Sequence, residues 1–508
     1  MRANILANFF GKSFIFLLGF IVVPLYIKIL GAESYGVIAF FAVLFATVGF
    51  LEFGLGITVN REIARALSSK SNFEETLDLI RSSEIIYWLV GLILAAIVYE
   101  LAPEISTNWL QSRGISKEVV LSSIQLMGLI IAFQWPASFY SCGLMGMERQ
   151  ILLNVVFIGF SIIRSVGSIL VLWQVSSTLT AYFIWQLIVS IIYVFVIAFI
   201  FWRMLPRGAR MPRFSLTSLR RVRNFTLGMG ATGMVTFLLS NLDKVILSKM
   251  LNLVDFGYYS IANQLNTATR TSSGAVCQAI FPRLSVLHLK NDVDKLTSFF
   301  HKASQFISLI VLPTSIVIAF FSREILFVWL QNWEIATSVA LIASVLIVGS
   351  AFNSAMGIPY DMSVASGWTT FGLYQNIVSS LIIIPLMLWL IYVYGALGAA
   401  IAWLILNFGY LVIAAPIIIS RCLPKGELSV WYIDDVGKPL LACLFFVVLA
   451  RYFFPENYPL ELKIGFIACI WFLTQLVCLA TLKHMRDIFF TYILNVKSFH
   501  DKKTNNDS

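Results

Sequence analysis

Charge is what this chain has least of. Only 12% of its 508 residues are Asp, Glu, Lys or Arg, about half the share of an ordinary soluble protein. Histidine is rarer still. His288, His301, His484 and His500 all fall in segments predicted to be cytoplasmic, so a histidine relay or metal site inside a membrane has no support. The six cysteines, Cys142, Cys277, Cys422, Cys443, Cys469 and Cys478, include no C-x-x-C pair and none in a predicted outer loop, which argues against disulfides and zinc. No G-x-x-x-x-G-K-[ST] motif occurs, so ATP is not a direct driver. Sustained period-two alternation is missing as well, which excludes a membrane β-barrel.

What the chain has instead is apolar length. Hydrophobic residues make up 59%, and mean hydropathy is +0.85. Fourteen apolar runs recur, from 10–30 to 463–482, each long enough to cross a hydrocarbon core of about 30 Å as a helix. The expected fold is an all-α polytopic membrane protein with about 14 transmembrane helices. The first run is long and lacks a small-residue cleavage pattern, so it is expected to stay as a helix.

The formal charge of +10 is explained by topology rather than by nucleic acid, for which no partner role is expected. With the N-terminus in the cytoplasm, 26 of the 36 Lys and Arg fall in inner segments and 7 in outer ones, which places both termini inside. The run 203–223 holds seven arginines and no acid. It reads as a topology-setting linker touching anionic lipid headgroups, or as a dock for a cytoplasmic partner. The longest outer loop, Pro103–Glu118, has about sixteen residues.

An internal echo sets the organisation. Leu30-Gly31-Ala32-Glu33-Ser34-Tyr35-Gly36 and Leu251-Asn252-Leu253-Val254-Asp255-Phe256-Gly257 align at an offset of 221 residues, six spans apart. Six is even, so the halves run parallel about an axis along the membrane normal. The glycine suits a tight outer turn, where a Cβ would clash if φ is positive. The expected domains are a six-helix bundle over 1–202, a basic linker over 203–224, a second six-helix bundle over 225–419, two further helices within 420–482 and a cytoplasmic tail over 483–508.

Pro24-Leu25-Tyr26, the turn Leu30–Gly36, Leu51-Glu52-Phe53-Gly54-Leu55-Gly56 and Asn60-Arg61-Glu62-Ile63-Ala64-Arg65, with the region of Asp243 and Gly257-Tyr258, carry a family resemblance. In that order they resemble Wzx-type O-antigen and polysaccharide flippases of the multidrug/oligosaccharidyl-lipid/polysaccharide exporter superfamily. One departure is Glu52, where Asp is more usual. The resemblance implies a flippase, not an enzyme, working by alternating access in the bacterial inner membrane without a cofactor. Its implied substrate is an oligosaccharide on undecaprenyl pyrophosphate, moved from the cytoplasmic to the periplasmic leaflet. Membrane lipids and other polysaccharide assembly proteins are its implied partners.

Charges inside the predicted spans nominate the site. A central Arg, Lys or Asp costs roughly 2.5–3.5 kcal/mol to insert, so Glu52, Arg164, Asp243, Lys244 and Arg270 are expected to face water or protein. Arg270 and Arg164 each lie about 20 Å along their spans at helical rise. Asn263, Asn266, Arg270, Ser273 and Cys277 are spaced three and four apart, one face of a helix. Arg270, Arg164, Lys244, Asn263 and Asn266 are the candidate substrate contacts, because guanidinium groups bind phosphate by paired hydrogen bonds. Glu52 and Asp243 are candidates to carry a proton or position Na⁺, and Arg61 joins them as a gating candidate. The plainer readings are an ion pair between Arg164 and Glu52, and a helix-end role for Asp243. Most of the 13 tryptophans read as packing or as belt anchors, with Trp109, Trp329 and Trp333 at predicted outer interfaces. A lipid II flippase, a drug/cation antiporter of the same superfamily and a membrane glycan polymerase are the competing functions. The short outer loops without His weigh against the last.

Overall fold

A backbone inside lipid must satisfy its own N–H and C=O groups, and the apolar runs do so as helices. The computed structural model describes residues 2–49, 52, 54–69, 73–206, 210–454, 459–488 and 491. Among these, ten helical stretches are long and apolar enough to cross a membrane. The expected spans one, seven, eight and thirteen fall on further helices that are shorter or more polar.

The chain divides into two compact units, Met1–Gly257 and Tyr258–Ser508. The first contains α1 (Arg2–Leu30), α2 (Ala32–Gly49), α3 (Leu55–Ser69), α4 (Phe73–Glu104), α5 (Lys117–Gly146), α6 (Gln150–Gln174), α7 (Leu179–Met204), α8 (Leu216–Met250) and the start of α9 (Leu253–Leu289). Helix α5 is its centre, packed on α3, α4 and α7. Between α4, α5 and α7 sits an aromatic cluster of Tyr87, Trp135, Phe139, Tyr140 and Phe201, all buried. Ser116, Thr178 and Ser215 cap α5, α7 and α8 by accepting backbone N–H groups of the first turn.

The second span was expected to run unbroken over 36–57. It is two helices, α2 and α3, parted at a residue that only glycine adopts easily, Gly54 at φ +72°. Glu52 sits in the break. The loop expected on the outer face is ordered too. Glu33 accepts the backbone N–H groups of Arg113 (2.6 Å) and Gly114 (2.9 Å), and Leu253 N–H donates to Gln111 O at 3.1 Å.

The repeat-related turns meet. A Cβ on Gly36 would run into the Leu253 carbonyl, and one on Gly257 would lie 2.8 Å from the Ala32 oxygen. Both glycines lie inside helices, and neither has positive φ. The expected reason for glycine is therefore replaced by another: close approach of backbone to backbone.

The second unit contains the rest of α9, then α10 (Val293–Phe320), α11 (Ser322–Leu330), α12 (Trp333–Ala355), α13 (Gly357–Ala365), α14 (Thr369–Tyr394), α15 (Ala396–Gly409), α16 (Ala415–Cys422), α17 (Glu427–Val430), α18 (Lys438–Tyr452) and α19 (Leu460–Thr481). Helix α10 packs on α12, α18 and α19, and α12 lies along α15. Phe300, Phe321 and Trp431 fill this core. A wider π-turn, Trp431–Gly437, leads into α18.

Candidate functional site

In the first unit, the break in span two leaves Glu52 against α4 and α5. Its Oε1 accepts the Tyr87 hydroxyl at 2.5 Å and the Ser138 hydroxyl at 3.4 Å. Broken membrane helices are a recurrent setting for coupling-ion sites, and this carboxylate is held by hydroxyls alone among the described residues. Arg164, on α6, is held differently. Its Nη2 lies 3.4 Å from Ser190 Oγ. With the Gln134 amide turned so that its polar atoms match their neighbours, Gln134 Oε1 accepts from Nη1 at 3.0 Å and Nη2 at 3.3 Å. The plain reading of an Arg164–Glu52 ion pair is thus replaced by neutral partners for each, and both charges stay uncompensated by these bonds.

Lys244 Nζ lies 3.3 Å from Asn241 Oδ1, one helical turn back on α8. Asp243 is its half-buried neighbour on the same helix. Arg61 stacks on the Phe225 ring at 4.3 Å, beside a Thr58–Thr226 hydroxyl pair at 2.9 Å. Its place is the seam between α3 and α8.

The arginine-rich run 203–223 finds acids in its own chain. Arg210 bonds Asp78 at 2.5 Å and Glu74 at 3.4 Å, and the carboxylate beside it pushes its guanidinium pKa above the usual value. Asp78 also takes the Arg213 backbone N–H (2.8 Å), and Ser82 takes that of Ser215 (2.8 Å). Arg221 reaches Glu75 at 2.6 Å and Glu62 at 3.8 Å. The linker is therefore docked on α3 and α4. Arg213, Arg220 and Arg223 stay exposed, while Arg207 lies outside the described residues.

In the second unit, the polar stripe of α9 is realised as one helix face with graded burial. Asn266 (2% exposed) and Ser273 are buried, Asn263 and Cys277 half-buried, and Arg270 exposed. Ser354 on α12 donates to Ser273 Oγ at 2.9 Å. The Arg270 guanidinium lies over the Trp403 ring, 5.0 Å from its centroid. Cys277 lies beside Asp361 of α13. Span ten, expected to end near 358, continues as α13 after a turn at Met356, so Asp361 belongs to it.

The comparisons with known proteins bear on this arrangement. The family model described as "Polysaccharide biosynthesis protein" matches residues 27–338. The chain belongs to this family. A "Putative O-antigen transporter" of Shigella flexneri is 24% identical over 402 residues, covering 79% of this chain and 93% of that one. Among solved structures, the lipid II flippase MurJ in an inward closed conformation matches with a TM-score of 0.69 at 14% identity, covering 96% of this chain and all of that one. An inward-facing multidrug resistance MATE family transporter of the MOP superfamily matches at 0.66 with 13% identity, covering 82% and 95%. This member of the polysaccharide biosynthesis protein family thus has the fold of that superfamily and is a multi-pass helical membrane protein.

Three features of this family member escaped the sequence reading. Trp403 passed as packing. Asp361 was placed beyond its span. His301 was set aside with the other histidines, yet its ring lies between Asp435 (2.5 Å) and Glu427 (2.9 Å), with Gln305 donating to Asp435 at 2.9 Å. Nothing local singled out the first two: Trp403 sits inside an apolar run like many other tryptophans, and Asp361 lies just past the expected end of one. His301 had no local signal either, because its partners are more than 120 residues away. Two tryptophans of the predicted outer belt also have partners within the chain. Trp109 donates to Ser248 Oγ at 3.1 Å, and Trp333 stacks on Phe327 with centroids 4.0 Å apart.

Proposed function

We propose that this transporter moves an oligosaccharide carried on undecaprenyl pyrophosphate from the cytoplasmic to the periplasmic leaflet of a bacterial inner membrane. It works by alternating access, with both termini in the cytoplasm. The observation that carries the reading is the Arg270 guanidinium, placed on the polar face of α9 and laid on an indole, a geometry suited to paired hydrogen bonds with phosphate oxygens. Arg164 and Lys244 add positive charge, and Asn263 and Asn266 add neutral polar contacts. Glu52, in the broken span, carries the coupling ion, while Asp243 and Arg61 take part in gating. The Shigella flexneri relative, a putative O-antigen transporter, supports the same substrate class.

Charge reversal tests it. In a flippase-null host, Arg270→Glu abolishes surface glycan while protein level stays at that of the unmodified chain. Normal glycan in that strain removes Arg270 from the mechanism. The second reading, lipid II transport, is favoured by the likeness to MurJ. Deletion separates the two: loss of O-antigen or capsule with normal growth supports the first, and loss of viability the second.

A further inference from the structure

The indole under Arg270 is itself held on several sides. Trp403 lies on α15, and its Nε1–H donates to Ser350 Oγ of α12 at 3.1 Å. Its backbone carbonyl accepts the Asn407 amide at 2.8 Å, and Asn407 in turn accepts the Asn353 amide at 2.7 Å. Ser350 and Asn407 are fully buried. Gly349 leaves the ring its space, since a Cβ there would lie 2.7 Å from Trp403 Cδ1. The ring is thus held by α15 against α12, with a face toward Arg270.

We infer that Trp403 is a positioning residue for Arg270, holding the guanidinium flat so that its in-plane N–H groups address the phosphates of the transported headgroup. The inference rests on the reading of Arg270 as the headgroup contact. A face contact uses none of the five N–H donors, so stacking orders the group without consuming its binding capacity. An unheld arginine would lose its rotamer freedom at the moment of binding; stacked, it has already lost part of it. The same contact covers an indole face that could otherwise take a sugar ring. This site therefore reads the phosphate end of the substrate rather than its glycan.

The test is a double-mutant cycle on the purified full chain, with geranylgeranyl pyrophosphate as the binding probe. Trp403→Leu weakens binding about three- to thirty-fold, the range a cation–π contact supplies, and Trp403→Phe, which keeps an aromatic face, recovers most of it. In an Arg270→Gln background the Trp403→Leu change adds nothing, because the group it positions is gone. A loss that adds fully in that background, or no loss at all, overturns the positioning role. If Arg270→Gln alone leaves probe binding unchanged, the headgroup reading of Arg270 falls instead. Should Trp403→Leu not fold, Ser350→Ala takes its place. It frees the indole edge while keeping the ring, and weakened binding that depends on Arg270 is again the supporting result, unchanged binding the opposing one.

Discussion

Gly36 and Gly257 occupy equivalent places in the two repeat turns, and each is pressed against the start of the other's helix. Gly36 faces the Leu253 carbonyl and Gly257 the Ala32 carbonyl. Ala32 and Leu253 are themselves paired by the 221-residue offset. Residue i meets j while i's equivalent meets j's equivalent, which is how contacts across a two-fold axis behave. Gly36→Ala and Gly257→Ala each force backbone apart and destabilise the protein by about 1–3 kcal/mol. Gly49→Ala, with nothing within 4 Å of its Cβ position, is neutral or slightly stabilising. Thermal melting in detergent checks all three.

Glu52→Gln keeps an oxygen for the Tyr87 hydroxyl but cannot hold a charge. The variant melts close to the unmodified protein, while transport in vesicles loses its dependence on an imposed proton or Na⁺ gradient. Gradient-driven transport persisting unchanged in this variant would show that coupling lies elsewhere.

Asp78→Asn removes the charge-assisted bond that anchors Arg210. Trypsin then cuts within 203–223 about ten-fold faster, as expected for a segment whose local opening has become easier. Arg220→Gln, at an exposed position, leaves the remaining cleavage rates as they were. High salt narrows the difference between unmodified and Asp78→Asn protein only slightly, because Asp78 is buried and its pair with Arg210 is weakly screened.

His301→Leu strands Asp435, which is fully buried, without the ring that faces it. Breaking a buried pair from one side costs roughly 3–5 kcal/mol. Amide exchange rises across 431–437, which rests against α10, and Asp435→Asn on the same background restores part of the melting temperature.

The helices were legible because a lipid solvent imposes length and apolarity on each span separately, so every one carries its own signal. The break at Gly54 was not, since Phe50, Leu51, Phe53 and Leu55 continue the apolar run through it; Glu52 was the visible irregularity. Arg270 and its stripe were legible from spacing within one helix. Trp403 and Asp361 were not assignable, because what distinguishes them is the company of residues far along the chain. The linker arginines were read as facing lipid for the same reason: Glu62, Glu74, Glu75 and Asp78, which answer Arg210 and Arg221, lie in a different stretch of sequence.

The docking of that linker has a consequence for how the protein is made. Arg210 meets an acid placed 132 residues earlier, and Arg221 one placed 146 residues earlier. All of their partners have left the ribosome before the linker does. As residues 210–225 emerge, the first unit can clasp its own exit strand before most of the second unit has been translated. Chains are finished from the N-terminus as cooperative blocks, and here the arginines pin the start of α8 to α3 and α4 before the first unit is itself complete.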